Sequence, residues 1–266
     1  MRYRICELNI GGILDQAINL TKNHFVLLLL ITLVLWIPVN LATNIVAQNT
    51  QEQIRAAIAN NELVVDVNSR LPGMSPWSIV LILVNVVLVM PLTNAAIIHA
   101  LACEYLERPT TLGGAFARAG AVFVPLILTN ILAYLATSAG LILLIIPGII
   151  VAFRLFLTTH VVVIEGAYFG AALKRSWKLM KGNVGTFFVL ALLLGVIQFA
   201  IGAMASFLPS PYLVAIVSTL LGAVIVIFFS AVWVVFYFSC RCKVENFDLN
   251  MLADAVAAEE SELDRA

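Results

Sequence analysis

The run from Ala121 to Ile164 is apolar for about twice the length that one bilayer crossing requires, and Arg154 is the only formally charged side chain in it. A segment of that kind has no stable place in water, and a single helix of that length would overshoot a membrane. It must fold back on itself as a hairpin of two spans. The turn is expected near Ser138-Ala139-Gly140, with Pro147-Gly148 as the competing position. The rest of the chain repeats the theme, with hydrophobic residues at 62% and charged residues at 11%, against roughly 45–50% and 25% in soluble domains. Spans are expected at about 25–47, 77–101, 121–139, 141–164, 184–207 and 213–239. The reading is an all-α polytopic membrane protein, a single six-helix domain over 1–249 followed by an acidic tail over 250–266. The 266 residues leave no room for an attached soluble enzyme domain.

Between the spans lie segments with helical amphipathic spacing. Ile10, Ile13, Leu14, Ala17 and Ile18 recur on one face, with Asp15, Gln16, Asn19 and Lys22 opposite, which predicts an interfacial helix before the first span. A cleaved leader is the competing reading, but the apolar run from Phe25 to Ala47 is longer than the core of a signal peptide. A helix is expected to start at Thr110 or Thr111. Gln48 to Trp77 is expected to be the one sizeable loop, and Pro91 to kink the second span. Over Gly166 to Gly182, Phe169, Ala172, Leu173, Ser176, Trp177 and Met180 share a face, while Lys174, Arg175, Lys178 and Lys181 share the other. Such a helix lies on a membrane with its cations towards lipid phosphates.

Six spans place both termini and both basic linkers on one side. Of the fifteen Lys and Arg, twelve then lie on that side, Arg55 and Arg70 lie opposite, and Arg154 lies within a span. By the positive-inside rule that side is the cytoplasm, so the expected location is the cell (inner) membrane with both termini cytoplasmic. The four cysteines then sit in a reducing compartment, and no disulfide is expected. An internal repeat is also expected: Gly12 to Phe25, Gly114 to Phe123 and Gly170 to Phe187 each run from a glycine through a short amphipathic segment to a phenylalanine that opens a span. Each is followed by a hairpin and then an acidic residue, Glu104, Glu165 or Glu245.

Few residues bear on chemistry. Arg154 has no carboxylate in its own run, and a cation at bilayer depth costs from about 2.5 to over 10 kcal/mol depending on the scale. It is either an architectural cation that snorkels or a contact for an anion or lipid phosphate. Asn85, Asn130 and Gln198 are estimated to lie at similar depth and could line one polar pocket with it, although interhelical hydrogen bonding is the plainer role. If a helix restarts after Pro147-Gly148, its free N–H groups point into the bundle; a kink needed only for packing is the alternative. No hydrolase, phosphate-loop or dinucleotide signature occurs, and no carboxylate lies within a span. His24, His99, His160 and the Cys240-Arg241-Cys242 pair lack diagnostic ligand spacing, so neither a metal nor any other cofactor is expected.

Pro147-Gly148, Arg154, Glu165-Gly166, Ala172, Arg175-Ser176-Trp177 and Gly182 together resemble the membrane-domain family named after glycerophosphoryl diester phosphodiesterases. Gly12 to Ala17 is similar to the opening of those domains, and Tyr237, Arg241, Lys243, Glu245 and Phe247-Asp248-Leu249 to their closing segment, with Ser239 where an acidic residue is expected. The resemblance implies a stand-alone membrane domain without the phosphodiesterase barrel, so that activity does not carry over. The expected function is a non-enzymatic membrane scaffold or complex subunit. The alternative is a transporter-like protein handling lipids or anionic phosphoesters through Arg154 and the basic face of residues 174–181. Expected partners are membrane lipids and a membrane protein or second copy of the chain, with no nucleic acid.

Overall fold

The structure, a computed structural model, describes residues 6–59, 76–108, 110–205 and 210–245. Every described element is a helix, and six of the helical runs are long and apolar enough to cross a membrane: Phe25–Glu52, Ile79–Tyr105, Leu112–Leu143, Ile145–Glu165, Val184–Met204 and Tyr212–Glu245. This is an all-α, multi-pass membrane protein. The expected tail, the Phe247-Asp248-Leu249 closing motif, and the parts of the expected loops at 60–75 and 206–209 lie outside the described residues.

Helix α1 (Ile10–Asn23) is capped by Asn9, whose side-chain oxygen accepts from Gly12 N at 2.8 Å. It buries Ile13, Ala17 and Leu20 against the bundle, and Ile18 turns outward. The first span runs through α2 (Phe25–Ile31), a π-helical turn at Thr32–Trp36 and α3 (Ile37–Ala59). The second runs through α4 (Pro76–Val84), a π turn at Asn85–Val89 and α5 (Met90–Tyr105). Both π turns end two residues before a proline, Pro38 and Pro91. Proline cannot donate to the carbonyl four residues back and collides with it, and one widened turn absorbs the conflict. The expected loop at 48–77 is corrected over its first part: α3 stays helical to Ala59, because Gln, Glu, Arg and Ala there are strong helix formers.

Helix α6 (Leu112–Leu143) begins at Thr111, whose hydroxyl accepts from Gly114 N at 3.1 Å. It is continuous, so the middle repeat has no interfacial helix separate from its span. The asparagine or threonine cap three residues before a glycine is shared by α1 and α6, but α9 has no side-chain cap. The hairpin turns at Leu144, whose extended backbone (φ −160°, ψ 138°) separates α6 from α7 (Ile145–Leu155). Neither expected turn position is used. Pro147-Gly148 lies in the first turn of α7, at a tip where Ile142, Leu143, Ile145 and Ile146 are all at least 70% exposed. The free N–H end of α7 is thus at the outer edge of the hairpin and not inside the bundle. Glycine is required at 148 by close approach, since a Cβ there would lie 2.5 Å from Leu141 N.

The fourth span does break, but at Phe156-Leu157, after Arg154. It resumes as α8 (Thr158–His160) and a π turn at Val161–Glu165. Carbonyls freed by a break within a membrane need donors from elsewhere. Ser176 Oγ donates to the Arg154 carbonyl at 2.9 Å, and Thr158 Oγ to that of Leu155 at 2.6 Å. Gly166 then takes a left-handed conformation (φ +70°), while Arg118 donates to the Val163 carbonyl at 3.0 and 3.2 Å. Helix α9 (Phe169–Leu179) follows, then α10 (Val184–Ala205) and α11 (Pro211–Glu245).

Packing is uneven along the bundle. At the basic end α1, α5, α9, the start of α6 and residues 226–242 of α11 enclose a dense core, with Tyr105 stacked on Phe238 at 5.1 Å and Phe156, Phe187 and Trp233 meeting at 4.5–5.4 Å. The two ends of the described chain meet there, with Leu8 N donating to Ser239 Oγ at 3.0 Å and Lys243 Nζ 2.8 Å from Glu7. Towards the opposite end the helices expose a belt of large apolar side chains such as Leu33, Leu83, Val86, Leu135, Leu192 and Leu220. Such a belt suits hydrocarbon.

Candidate functional site

The charged residues at the end of the fourth span converge. Glu165 closes its π turn, and the Gly166 turn sends α9 back along the bundle until Ser176 reaches Arg154, eleven residues before Glu165. This fold-back carries Arg175 inward. Its guanidinium donates to Glu165 through Nε at 2.7 Å and Nη2 at 2.8 Å, and to Glu245 through Nη2 at 2.7 Å and through Nη1. Tyr237 donates its hydroxyl hydrogen to Glu165. Arg241 Nε stands 3.7 Å from Glu165 and 3.5 Å from Glu245, and Lys178 Nζ 3.7 Å from Glu245. Tyr237, Arg241 and Glu245 lie four residues apart on one face of α11, so a single helix presents an acceptor, a cation and a hydroxyl together.

The Arg175 side chain is about 20% exposed, and both carboxylates are similarly covered. The hydrogen bonds to Glu245 first, opposed by burial and reinforced by Glu165, hold the guanidinium above even the usual arginine range. Its charge is permanent across working pH. The cluster therefore acts as a clamp that fastens α9 to the ends of the fourth span and of α11. Both carboxylates are engaged by Arg175, which leaves neither as a free base.

The placement corrects two expectations. Arg175 does not face lipid phosphates: its charge is used inside the protein, because the buried face of α9 is Ala172, Ser176 and Leu179 and Arg175 adjoins it. Lys174, Lys178 and Lys181 are exposed, as are Phe169 and Trp177, while Ala172, Ser176 and Met180 of the same expected face are buried. The four residues of the expected polar pocket have four different surroundings. Asn85 donates to Asn40 Oδ1 at 3.3 Å and to Thr43 at 3.4 Å. Asn130 accepts from Thr159 at 3.1 Å, Gln198 lies exposed on α10, and the Arg154 guanidinium sits 4.9 Å from the centre of the Trp177 ring. Helical phase separates side chains that a count along the spans puts at equal depth.

Some polar contacts were not anticipated. Asn44 donates to Thr219 at 3.0 Å, extending the seam of Asn40, Thr43 and Asn85 across to α11. Asn40 and Asn44 stand one helical turn apart within an apolar run, which is the signal that could have found them. Among the described residues no three His, Cys, Asp or Glu side chains come together as a metal site, and all four cysteines are free thiols.

A groove of about 800 Å³ lies beside the clamp, where α9 crosses the α6–α7 hairpin. Ala136, Val151, Leu155 and Leu173 give it apolar walls, and Lys174 and Trp177 stand at its side.

A family model described as a domain of unknown function, DUF7847, matches residues 79–240, the larger part of the chain. The chain belongs to the DUF7847 family. The DUF7847 region takes in Glu165, the whole of α9 and Tyr237, while Arg241 and Glu245 follow it. No curated protein and no solved structure matches the chain.

Proposed function

We propose that this protein is a non-enzymatic scaffold or subunit of a larger assembly in the cell (inner) membrane, with both termini and the clamped end in the cytoplasm. The observation that carries the reading is the clamp itself. Carboxylates that could act in catalysis or proton coupling are locked to Arg175, so the geometry favours a fixed platform over a turning-over site. The exposed amines of Lys174, Lys178 and Lys181 lie on the same end, and the charge count of the sequence supports assigning that end to the cytoplasm. We include in this proposal kinship with the membrane domains named after glycerophosphoryl diester phosphodiesterases. Glu165, Arg175, Ser176 and Trp177, which carry that resemblance, are residues that meet around α9.

The test is the size of the particle released from the protein's own membrane by mild detergent or polymer extraction, read by native electrophoresis and mass photometry. The proposal expects a discrete assembly well above the 28.9 kDa chain, containing a second protein or further copies. A monodisperse single-chain particle at native expression would overturn it.

A further inference from the structure

We propose that the groove between α6, α7 and α9 binds one phospholipid with an anionic headgroup, its acyl chains along Ala136, Val151, Leu155 and Leu173 and its phosphate at Lys174 and Arg154. This goes beyond the scaffold reading and does not depend on it.

Most cations near the clamp have an acidic partner: Arg175 and Arg241 face Glu165 and Glu245, Lys178 faces Glu245, and Lys243 faces Glu7. Arg154 and Lys174 have no carboxylate within ion-pair distance among the described residues. Arg154 is the more demanding of the two. It lies mid-way along a candidate span, and its Nε is buried without a hydrogen-bond partner among the described residues. Its compensation comes from the carbonyl end of α7 and the face of Trp177, which together offer partial negative charge only.

The groove tells which anion fits. Its volume falls in the range of small-molecule sites, and its walls are apolar except for the Lys174 flank. Val151 and Leu155 flank Arg154 in the same helix, while Lys174 and Trp177 are neighbours one turn apart on α9. The apolar wall and Lys174 thus lie side by side, and Arg154, which does not itself line the groove, reaches its edge through Trp177. A water-soluble phosphoester would leave the wall uncovered. A zwitterionic lipid would bring its own cation to a place already holding two.

Purified full-length protein in detergent is titrated with phosphatidylglycerol and, separately, phosphatidylcholine, and retained lipid is counted by native mass spectrometry. The wild type should retain one phosphatidylglycerol with about thirtyfold preference over phosphatidylcholine, the scale expected for two cations near a lipid surface. Arg154→Gln and Lys174→Gln should each reduce that preference at least threefold, and Lys181→Gln, an exposed amine away from the groove, should leave it unchanged. Because Lys174 is exposed, its variant should keep the wild-type thermal midpoint, so it decides the matter even where Arg154→Gln fails to fold. Equal retention of the two lipids by the wild type, an equal loss in Lys181→Gln, or full displacement of the lipid by millimolar glycerol 3-phosphate would overturn the proposal.

Discussion

Gly148 shows how little a sequence says about crowding. The Pro-Gly pair reads as a turn or helix break, yet both residues are helical, and the glycine is needed because a Cβ would overlap Leu141 of the opposing helix. Gly148→Val should lower stability by about 1–3 kcal/mol, measured by thermal unfolding in detergent, through forced separation of the hairpin arms. An unchanged midpoint would show that the arms do not approach this closely. The polar residues divide in the same way. Asn85 is buried and bonded across to α3, whereas Gln198 faces outward. Asn85→Leu should cost about 0.6–2 kcal/mol and Gln198→Leu less than about 0.5. Equal costs would mean that the two share an environment. Sequence depth alone cannot separate them, because depth counts residues along an axis and ignores rotation about it.

Among the elements, the starts of the first and fifth spans were legible at Phe25 and Val184, because a polar segment meets an uninterrupted apolar run there. The Leu144 turn was not, since leucine and isoleucine flank it on both sides and no polar residue or glycine marks it. Helix α9 was legible as a helix with Ala172, Ser176 and Met180 on one face and Lys174, Lys178 and Lys181 on the other, and only Arg175 departs from that division. Its spacing puts Arg175 at the border of the buried face, and its inward turn is set by partners far away in the chain. Glu165 and Glu245 draw Arg175 inward at the same time as the broken fourth span offers Ser176 an unsatisfied carbonyl. A single amphipathic helix read alone has no access to either fact. The 237, 241, 245 spacing on α11 was present in the sequence, and reading it as one face would have supplied the missing acceptor.

On the scale of the whole molecule, a packed basic end carries helices that part into an apolar, lipid-facing belt. The clamp joins the last two hairpins: Glu165 closes one, Glu245 ends the other, and Arg175 on the helix between them binds both. Its electrostatics should not titrate in the working range. The raised pKa of Arg175 makes its contribution fully present below the unfolded arginine value and lost only at still higher pH. Removing one partner is the informative perturbation, because it strands charge of the opposite sign in a covered site. The deciding measurement is thermal unfolding of Arg175→Gln beside the triple variant Arg175→Gln, Glu165→Gln, Glu245→Gln. The clamp predicts a loss of about 2–4 kcal/mol in the single variant and recovery of more than half of it in the triple. An Arg175→Gln protein as stable as the wild type would contradict the account and return Arg175 to the membrane surface.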